Sequence, residues 1–361
     1  MTMLEKKDLE QRLAPKQPFF VLKMGHRMYV AIKQHWKPIL LLMVLSPLLA
    51  EVMSGGTPVL VFFLPWIFVS YVIVLYGFQV LVIREVARRK ELGLLGLWCL
   101  GLIYAFYNEG LHAKTFFSSF HSPIDIYSTY GLVENIRIPW MLVISFWHGL
   151  YAVVYPILFV EYLLPEEANE GWLPLGATWA LAILSIALAV LAFFFLRPAE
   201  NATLHLVHFA FIIATALVLW LVAGKLPGSP RITANTGGGG FSWKLFSGGA
   251  ILYMLVLLVP QLWAELQITW LLFVLYFALL AIVGVRAISS QKETTRERVI
   301  VFALGGEMAQ ALFSLVLGAL SGNIMLLVSS AVFAVIFLAA MMCLRRRASE
   351  STPPSRGSAM K

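Results

Sequence analysis

Nine ionisable side chains lie inside or beside long apolar stretches of this 361-residue sequence, and they are the first candidates for chemistry. Burying a charge or an imidazole among apolar groups is unfavourable unless the group finds a polar partner, so such residues are rare without a function. They are Glu51, Glu109, His112, Lys114, His148, His205, His208, Glu265 and Glu307.

His148 is the deepest of these residues. It lies about ten residues into an apolar stretch that begins at residue 138, near the middle of a bilayer at about 1.5 Å of rise per residue. Imidazole is too short to reach the interface from there, so the ring needs a polar partner or a wet cavity. We predict that His148 faces the bundle interior and contacts a polar group of the first, third or sixth helix, with Glu109 and Glu51 as the favoured partners.

The remaining candidates each have a simpler alternative. Glu51, Glu109, Glu265, His205 and His208 could mark helix ends in the headgroup region.

Glu307 lies one turn before Gln310 and could be a proton or cation relay, or could pair with Arg84 or Arg298. We interpret Arg84 and Glu85 as a solvated salt bridge that opens a cytoplasmic loop.

Composition indicates that a membrane holds these residues in place. The sequence is 60% hydrophobic and 13% charged, whereas soluble domains are roughly 45–50% apolar and about 25% charged. A bilayer core about 30 Å thick needs roughly 20 apolar residues per helix. We predict an all-α polytopic bundle of ten transmembrane helices, at 38–51, 58–83, 92–108, 138–164, 172–196, 203–224, 245–260, 263–285, 299–320 and 323–344. The helices 245–260 and 263–285 are predicted to meet at Pro260, and Glu265 is predicted to open the second of them.

The basic residues predict the orientation of the bundle. With the N-terminus in the cytoplasm, 24 of the 27 Lys and Arg residues fall in cytoplasmic segments. Only Lys114, Arg137 and Arg197 fall outside, and this asymmetry is the one that the positive-inside rule requires. We therefore expect a multi-pass cell-membrane protein with both termini in the cytoplasm and with most of the candidate residues in the outer half of the membrane.

Three regions follow from this topology. Residues 1–37 form a cytoplasmic basic tail, 38–344 the transmembrane domain, and 345–361 a disordered cytoplasmic tail. In the basic tail, one face of a predicted interfacial helix is apolar and consists of Leu22, Met28, Tyr29, Ile32 and Trp36. We expect this helix to bind anionic lipids of the inner leaflet.

Other classes of partner and cofactor find no support in the sequence. The basic residues occur in short blocks between apolar runs, so we expect no nucleic acid as a partner, and no protein partner can be named. No nucleotide-binding glycine motif, H-E-x-x-H or C-x-x-C occurs, so we expect no cofactor and assign no metal.

The loop 108–137 is the longest predicted outer connection and is rich in aromatic residues. Its aromatic side chains are Phe116, Phe117, Phe120, Tyr127 and Tyr130. We predict that this loop folds back over the outer mouth of the bundle, with part of it re-entrant, and that it is not free in water.

One motif suggests a family. The segment Glu109-Gly110-Leu111-His112-Ala113-Lys114 resembles the E-E-x-x-x-R motif of the CPBP intramembrane proteases, which include CAAX proteases and bacteriocin-processing proteins. In that family one histidine follows on a later helix and a second on a helix after that. Here His148 follows Glu109 by 39 residues, and His205 follows His148 by 57. The resemblance implies that Glu109 activates water and that His148 and His205 bind this water or the developing oxyanion.

The match to that family is partial. Gly110 replaces the second glutamate and Lys114 the arginine, while Ile144 and Phe209 occupy positions where the family has Phe and Asn or Asp. Three hypotheses therefore remain open: an intramembrane hydrolase, a secondary transporter in which Glu109, His148 and Glu307 carry protons, and a non-catalytic membrane scaffold or accessory subunit.

Overall fold

The computed structural model describes ten long apolar helices, which confirms an all-α bundle of membrane-spanning segments. It describes residues 17–117, 127, 130–195, 206–226, 231–233, 241–290 and 293–350. The ten segments are α1 (Met28–Val52), α2 (Pro65–Arg89), α3 (Leu94–His112), α4 (Ile138–Leu163), α5 (Leu175–Phe195), α6 (Leu206–Ala223), α7 (Trp243–Glu265), α8 (Trp270–Ser289), α9 (Arg296–Ser321) and α10 (Ile324–Arg346).

Five of these helices contain a π-helical stretch. In such a stretch the backbone hydrogen bonds join residues five apart instead of four, so each turn is wider. These stretches are Leu48–Val52 in α1, Ser70–Leu75 in α2, Phe106–His112 in α3, His148–Val154 in α4 and Met254–Leu258 in α7. Proline explains two of them. Pro156 and Pro260 each lie just after a π-helical stretch, where the wider turn accommodates a residue that cannot donate a backbone hydrogen bond.

Side chains of neighbouring helices bind backbone carbonyls in these stretches. Tyr104 of α3 donates to the carbonyl of Leu75 in α2 at 3.0 Å, and Ser46 of α1 donates to that of Ala152 in α4 at 2.5 Å. Tyr276 of α8 donates to the carbonyl of Leu255 in α7 at 2.7 Å. Because lipid offers no hydrogen bonds, the π-helical stretches depend on these helix–helix contacts.

Close backbone packing of glycines fixes two helix pairs. A Cβ atom on Gly101 of α3 would lie 2.6 Å from the carbonyl oxygen of Gly149 in α4. A Cβ on Gly249 of α7 would lie 1.8 Å from the carbonyl oxygen of Phe302 in α9. Only glycine permits these approaches, which are common where membrane helices pack closely.

The bundle has a centre and a periphery. In the most apolar window of α4, 78% of the residues are buried, against 11% in α8. Helices α3, α4 and α9 therefore form the centre of the bundle, and α6, α8 and α10 expose most of their apolar side chains as membrane helices do.

The two ends of the bundle differ in charge. At one end, Arg84 of α2 contacts Glu161 of α4, which also contacts Arg296 of α9. We call this the basic end and the opposite end the distal end. The distal end includes a short hairpin of β1 (Leu132–Val133) and β2 (Ile136–Arg137). A parallel pair, β3 (Arg231–Thr233) and β4 (Glu293–Thr295), precedes α7 and α9.

The helix that contains α1 begins before Met28. It runs from Gln17 through Pro47, and at His35 its backbone leaves the helical range, with φ −109° and ψ 24°. This kink lies within α1, between Ile32 and Trp36 of the predicted interfacial helix, and Met28, Tyr29, Ile32 and Trp36 are exposed. At the other terminus the helix of α10 continues to Glu350, beyond residue 344 where the sequence predicts that helix to end.

The aromatic loop packs onto the distal end. Phe116, Phe117, Tyr127 and Tyr130 are buried, and the hydroxyl of Tyr130 donates to the carbonyl of Ile268 beyond α7. Phe120 lies outside the described residues. The described residues of this loop therefore pack against the bundle and are not free in water, as the sequence predicts.

One predicted boundary is wrong. Pro260 does not separate α7 from α8, because the chain passes through it within α7 and reverses after Glu265. The preceding π-helical stretch removes the conflict that proline would otherwise create. Glu265 therefore ends α7 rather than opening α8, and its side chain is exposed.

Candidate functional site at the distal end of the bundle

The central contact of the site joins two transmembrane helices. Nε2 of His148 on α4 lies 3.3 Å from Oε1 of Glu109 on α3. Both residues are almost fully buried: 3% of the surface of His148 and 6% of that of Glu109 are exposed. The structure thus confirms that His148 faces the bundle interior and contacts Glu109.

Hydrogen-bond partners define the protons of this pair. Nδ1 of His148 lies 3.2 Å from the carbonyl oxygen of Ile144, which only accepts, so Nδ1 carries a hydrogen. We assign this tautomer from the partners. An unprotonated Nε2 and a carboxylate oxygen would both be acceptors, so their contact requires a proton on one of them. Glu109 and His148 therefore share one mobile proton.

Tyr76 of α2 extends the site to a second carboxylate. Its hydroxyl donates to Oε1 of Glu51 on α1, and the same oxygen lies 3.2 Å from Nε2 of His148. A phenol has a single hydrogen, so its oxygen can only accept from His148. Tyr76 therefore connects the imidazole of His148 to the carboxyl group of Glu51.

Further hydroxyl and amide groups surround the two carboxylates. Thr115 donates to Oε2 of Glu109, and the indole of Trp140 donates to Thr115 at 3.0 Å. Thr57 donates to Oε2 of Glu51 at 2.9 Å and lies 3.2 Å from the hydroxyl of Tyr71. We call the group of Glu51, Thr57, Tyr71, Tyr76, Asn108, Glu109, Thr115 and His148 the Glu109 cluster.

Asn108 completes the surroundings of the imidazole. Its Nδ2 lies 3.3 Å from Nε2 of His148. Because an amide nitrogen and oxygen are exchanged by a rotation of the side chain, this group can donate to or accept from the ring or a bound molecule.

The local backbone explains how these residues meet. Glu51, Tyr71, Asn108, Glu109 and His148 all lie within π-helical stretches of α1 to α4. A π-helical turn rotates the following residues relative to a regular helix, and such turns are frequent at functional sites. The close packing of Gly101 and Gly149 then brings α3 near enough to α4 for Glu109 to reach His148.

The amino-acid sequence also places the chain among known proteins. Residues 40–262, more than half of the chain, match the model of a family described as "Uncharacterized membrane protein family". The chain belongs to this family. Searches of curated proteins and of solved structures found no match to it. The matched residues, which we call the family region, include the whole Glu109 cluster.

Other predicted site residues of the family region have different surroundings. His112 contacts the hydroxyl of Tyr107 at 2.9 Å, and Nε2 of His208 lies 3.1 Å from the carbonyl oxygen of Glu134. Lys114 follows the end of α3 and places its ammonium 5.9 Å from the ring of Phe193, and burial lowers its pKa. His205 lies outside the described residues.

Sequence reasoning missed several members of the Glu109 cluster. Four of them are uncharged and lie in apolar or loop segments, so the sequence gives no signal for them: Tyr76, Tyr71, Thr57 and Thr115. Asn108 offers the one available signal, because it directly precedes Glu109 within an apolar stretch.

The interpretation of Arg84 and Glu85 as a solvated pair is wrong. Arg84 donates to Oε1 of Glu85 at 2.8 Å and to Glu161 at 3.2 Å, and its guanidinium lies 3.7 Å from the ring centroid of Trp172. Both Arg84 and Glu85 are buried, because the loop after α4 folds over the end of α2. Arg84 therefore does not pair with Glu307.

Three side chains at the basic end lie close enough to hold a metal ion. Potential ligand atoms of His35, Glu167 and Glu170 all lie within 4.8 Å of one another. His35 Nδ1 is already hydrogen-bonded to Glu167 at 2.5 Å, and Glu170 is largely exposed. We interpret the group as a hydrogen-bonded contact that fixes the kink of the first helix.

Proposed function

We propose that this membrane protein is an intramembrane hydrolase that uses Glu109 to activate water. The observation that carries the proposal is the buried contact between Glu109 and His148, on two different helices. A carboxylate next to an imidazole can pass protons in both directions within a site that excludes bulk water.

Glu109 and His148 together can carry out a complete hydrolysis and return to their starting protonation states. Glu109 takes a proton from water while the water oxygen bonds to the carbonyl carbon of an amide or ester. Nε2–H of His148 and an N–H of Asn108 stabilise the oxyanion. His148 then protonates the leaving nitrogen or oxygen as its bond to carbon breaks. The proton on Glu109 moves to His148 across their contact, which restores the starting state.

The resemblance to CPBP proteases supports the same roles. The resemblance implies that Glu109 activates water and that His148, on a later helix, binds this water or the developing oxyanion. The family's second histidine corresponds to His205. His205 lies outside the described residues, and Tyr76 and Asn108 are the further groups that contact Nε2 of His148.

The direction of access follows from the distribution of charge. The basic end carries the residues that the positive-inside rule assigns to the cytoplasm. The Glu109 cluster lies toward the distal end, so we infer that substrate reaches it from the outer half of the membrane. The substrate class is a membrane-embedded peptide or ester.

Hydrolysis in heavy-oxygen water tests this proposal. We expect proteoliposomes of the full chain to cleave members of a library of membrane-spanning peptides and to incorporate ¹⁸O into the new carboxyl groups. Glu109→Gln should lower the rate by about 10²–10⁴-fold, the usual contribution of a general base.

Glu265→Gln is the matched control, because Glu265 is an exposed glutamate outside the cluster. It should leave the rate unchanged. Equal cleavage by the wild type and Glu109→Gln, or products without ¹⁸O, would contradict the proposal.

A secondary transporter is the second candidate, and one observation favours it. Contacts run without a break from Glu109 through His148 and Tyr76 to Glu51. Such a series can relay protons between two carboxylates, as proton-coupled transport requires. A pH-sensitive dye trapped in the same proteoliposomes would report proton uptake, and Glu51→Gln should abolish that uptake if this candidate is right.

A further inference from the structure

Glu307 lies in the middle of the bundle, apart from the Glu109 cluster. It is on α9, eleven residues after Arg296, about 16 Å along the helix axis. Its side chain is fully buried, and neither carboxyl oxygen has a hydrogen-bond partner among the described residues. Glu307 also lies outside the family region.

An ionised carboxylate does not fit these surroundings. No ion pair involves Glu307 among the described residues, whereas the buried Glu85 and Glu161 are both paired with arginines. An unpaired buried charge costs many times more than a buried neutral carboxyl group. The buried, unpaired position of Glu307 therefore favours its protonated form.

The groups that face Glu307 are neutral and polar. The hydroxyls of Tyr151 and Tyr155 on α4 lie near the carboxyl group, and that of Tyr253 on α7 lies near Tyr151. A Cβ atom on Gly306 would lie 2.9 Å from the hydroxyl oxygen of Tyr151, so that hydroxyl lies against the backbone of α9 beside Glu307.

Several of the polar atoms on these helices also lack partners. Tyr253 Oη and Gln310 Oε1 are buried without a hydrogen bond among the described residues. Unpaired buried polar atoms are rare in folded proteins and often indicate a bound ion or water. Here an unpaired carboxyl, a tyrosine hydroxyl and an amide oxygen occur on two adjacent helices.

We propose that Glu307 is a second intramembrane site, which binds and releases a proton. Tyr151 and Tyr155 place hydroxyl groups beside it, and a water molecule that enters between α4, α7 and α9 would complete the exchange path. The site is independent of the hydrolysis proposed for Glu109. It also gives α4 two roles, since His148 and Tyr151 lie one turn apart on the same helix.

Infrared spectroscopy of the full chain in lipid tests the proposal. The spectrum of the wild type minus that of Glu307→Gln should contain the C=O stretching band of a protonated carboxylic acid. The band should shift to lower frequency after transfer to D₂O, because a proton that exchanges is replaced by deuterium.

Each other outcome overturns the proposal. Absence of the band from the difference spectrum means that Glu307 is ionised. A band that does not shift in D₂O means that the proton of Glu307 does not exchange with solvent. Glu265→Gln serves as the matched control and should leave the protonated-acid band unchanged. Thermal unfolding verifies that Glu307→Gln folds, as expected for a replacement that has the shape of the neutral acid.

The test is separate from that of the hydrolase. Glu307→Gln should retain peptide cleavage if hydrolysis and proton exchange are independent, and Glu109→Gln should retain the Glu307 band. A hydrophobic carbodiimide provides a second measurement. It adds across a protonated carboxyl group with no leaving group, so the peptide that contains Glu307 should gain the mass of one carbodiimide, and a water-soluble carbodiimide should leave that peptide unmodified.

Discussion

At the residue scale, the position of protons dominates the Glu109 cluster. Glu109, His148 and Glu51 are ionisable groups of two signs within a few ångströms, and Tyr76 links the imidazole to Glu51. In a medium of low dielectric constant such groups are stable only as a neutralised and hydrogen-bonded set. Removal of one member should therefore affect the stability of the whole cluster.

Tyr76→Phe is the sharpest test of this dependence. It removes one hydroxyl and keeps the ring, so Glu51 loses a donor and His148 loses an acceptor. We expect the free energy of unfolding to fall by about 1–3 kcal/mol, the cost of leaving a buried polar group unpaired. The measurement is thermal unfolding of the purified protein in detergent.

Tyr29→Phe provides the control for this substitution, since Tyr29 is exposed on the first helix. It should leave the melting temperature unchanged. An unchanged melting temperature for Tyr76→Phe as well would show that Tyr76 does not link the two carboxylates.

At the element scale, π-helical stretches and glycine contacts set the rotation and separation of the helices. The stretches turn Glu51, Glu109 and His148 toward one another, and Gly101 lets α3 approach α4. A larger residue at Gly101 would push apart the two helices that carry Glu109 and His148.

Gly101→Ala should therefore be destabilising, although alanine favours helices over glycine by about 0.5–1 kcal/mol. Its Cβ would lie 2.6 Å from the carbonyl oxygen of Gly149, and backbone cannot move aside cheaply. Gly284→Ala in α8 is the matched control, because its Cβ would meet nothing within 4 Å. We expect a lower melting temperature for the first variant and an equal or higher one for the second, and the reverse order would contradict the packing of α3 on α4.

At the scale of the whole molecule, the two ends of the bundle should face opposite sides of the membrane. Single cysteines at exposed positions test this in a variant that lacks Cys99 and Cys343. Gly56→Cys and Leu266→Cys lie at the distal end and should react with an impermeant maleimide in intact cells. Glu170→Cys and Ser290→Cys lie at the basic end and should react only after permeabilisation, and labelling of all four in intact cells would disprove this orientation.

The sequence by itself determined the number of helices and the need of His148 for a polar partner. Hydropathy is a local property, so ten apolar stretches are visible without any contact between them. The depth of His148 in its stretch required a polar partner on physical grounds alone, and Glu109 followed as a candidate because it lies toward the same end.

Only the tertiary structure decided which side chains complete the site. Tyr76 and Asn108 become members of the Glu109 cluster through the rotation of α2 and α3, which depends on π-helical stretches that no local pattern reveals. The same holds for the burial of Arg84 by the loop after α4, for the passage of the chain through Pro260, and for the isolation of Glu307. Each of these features depends on which groups of neighbouring helices and loops pack against the residue. Packing of this kind is not visible in the local sequence.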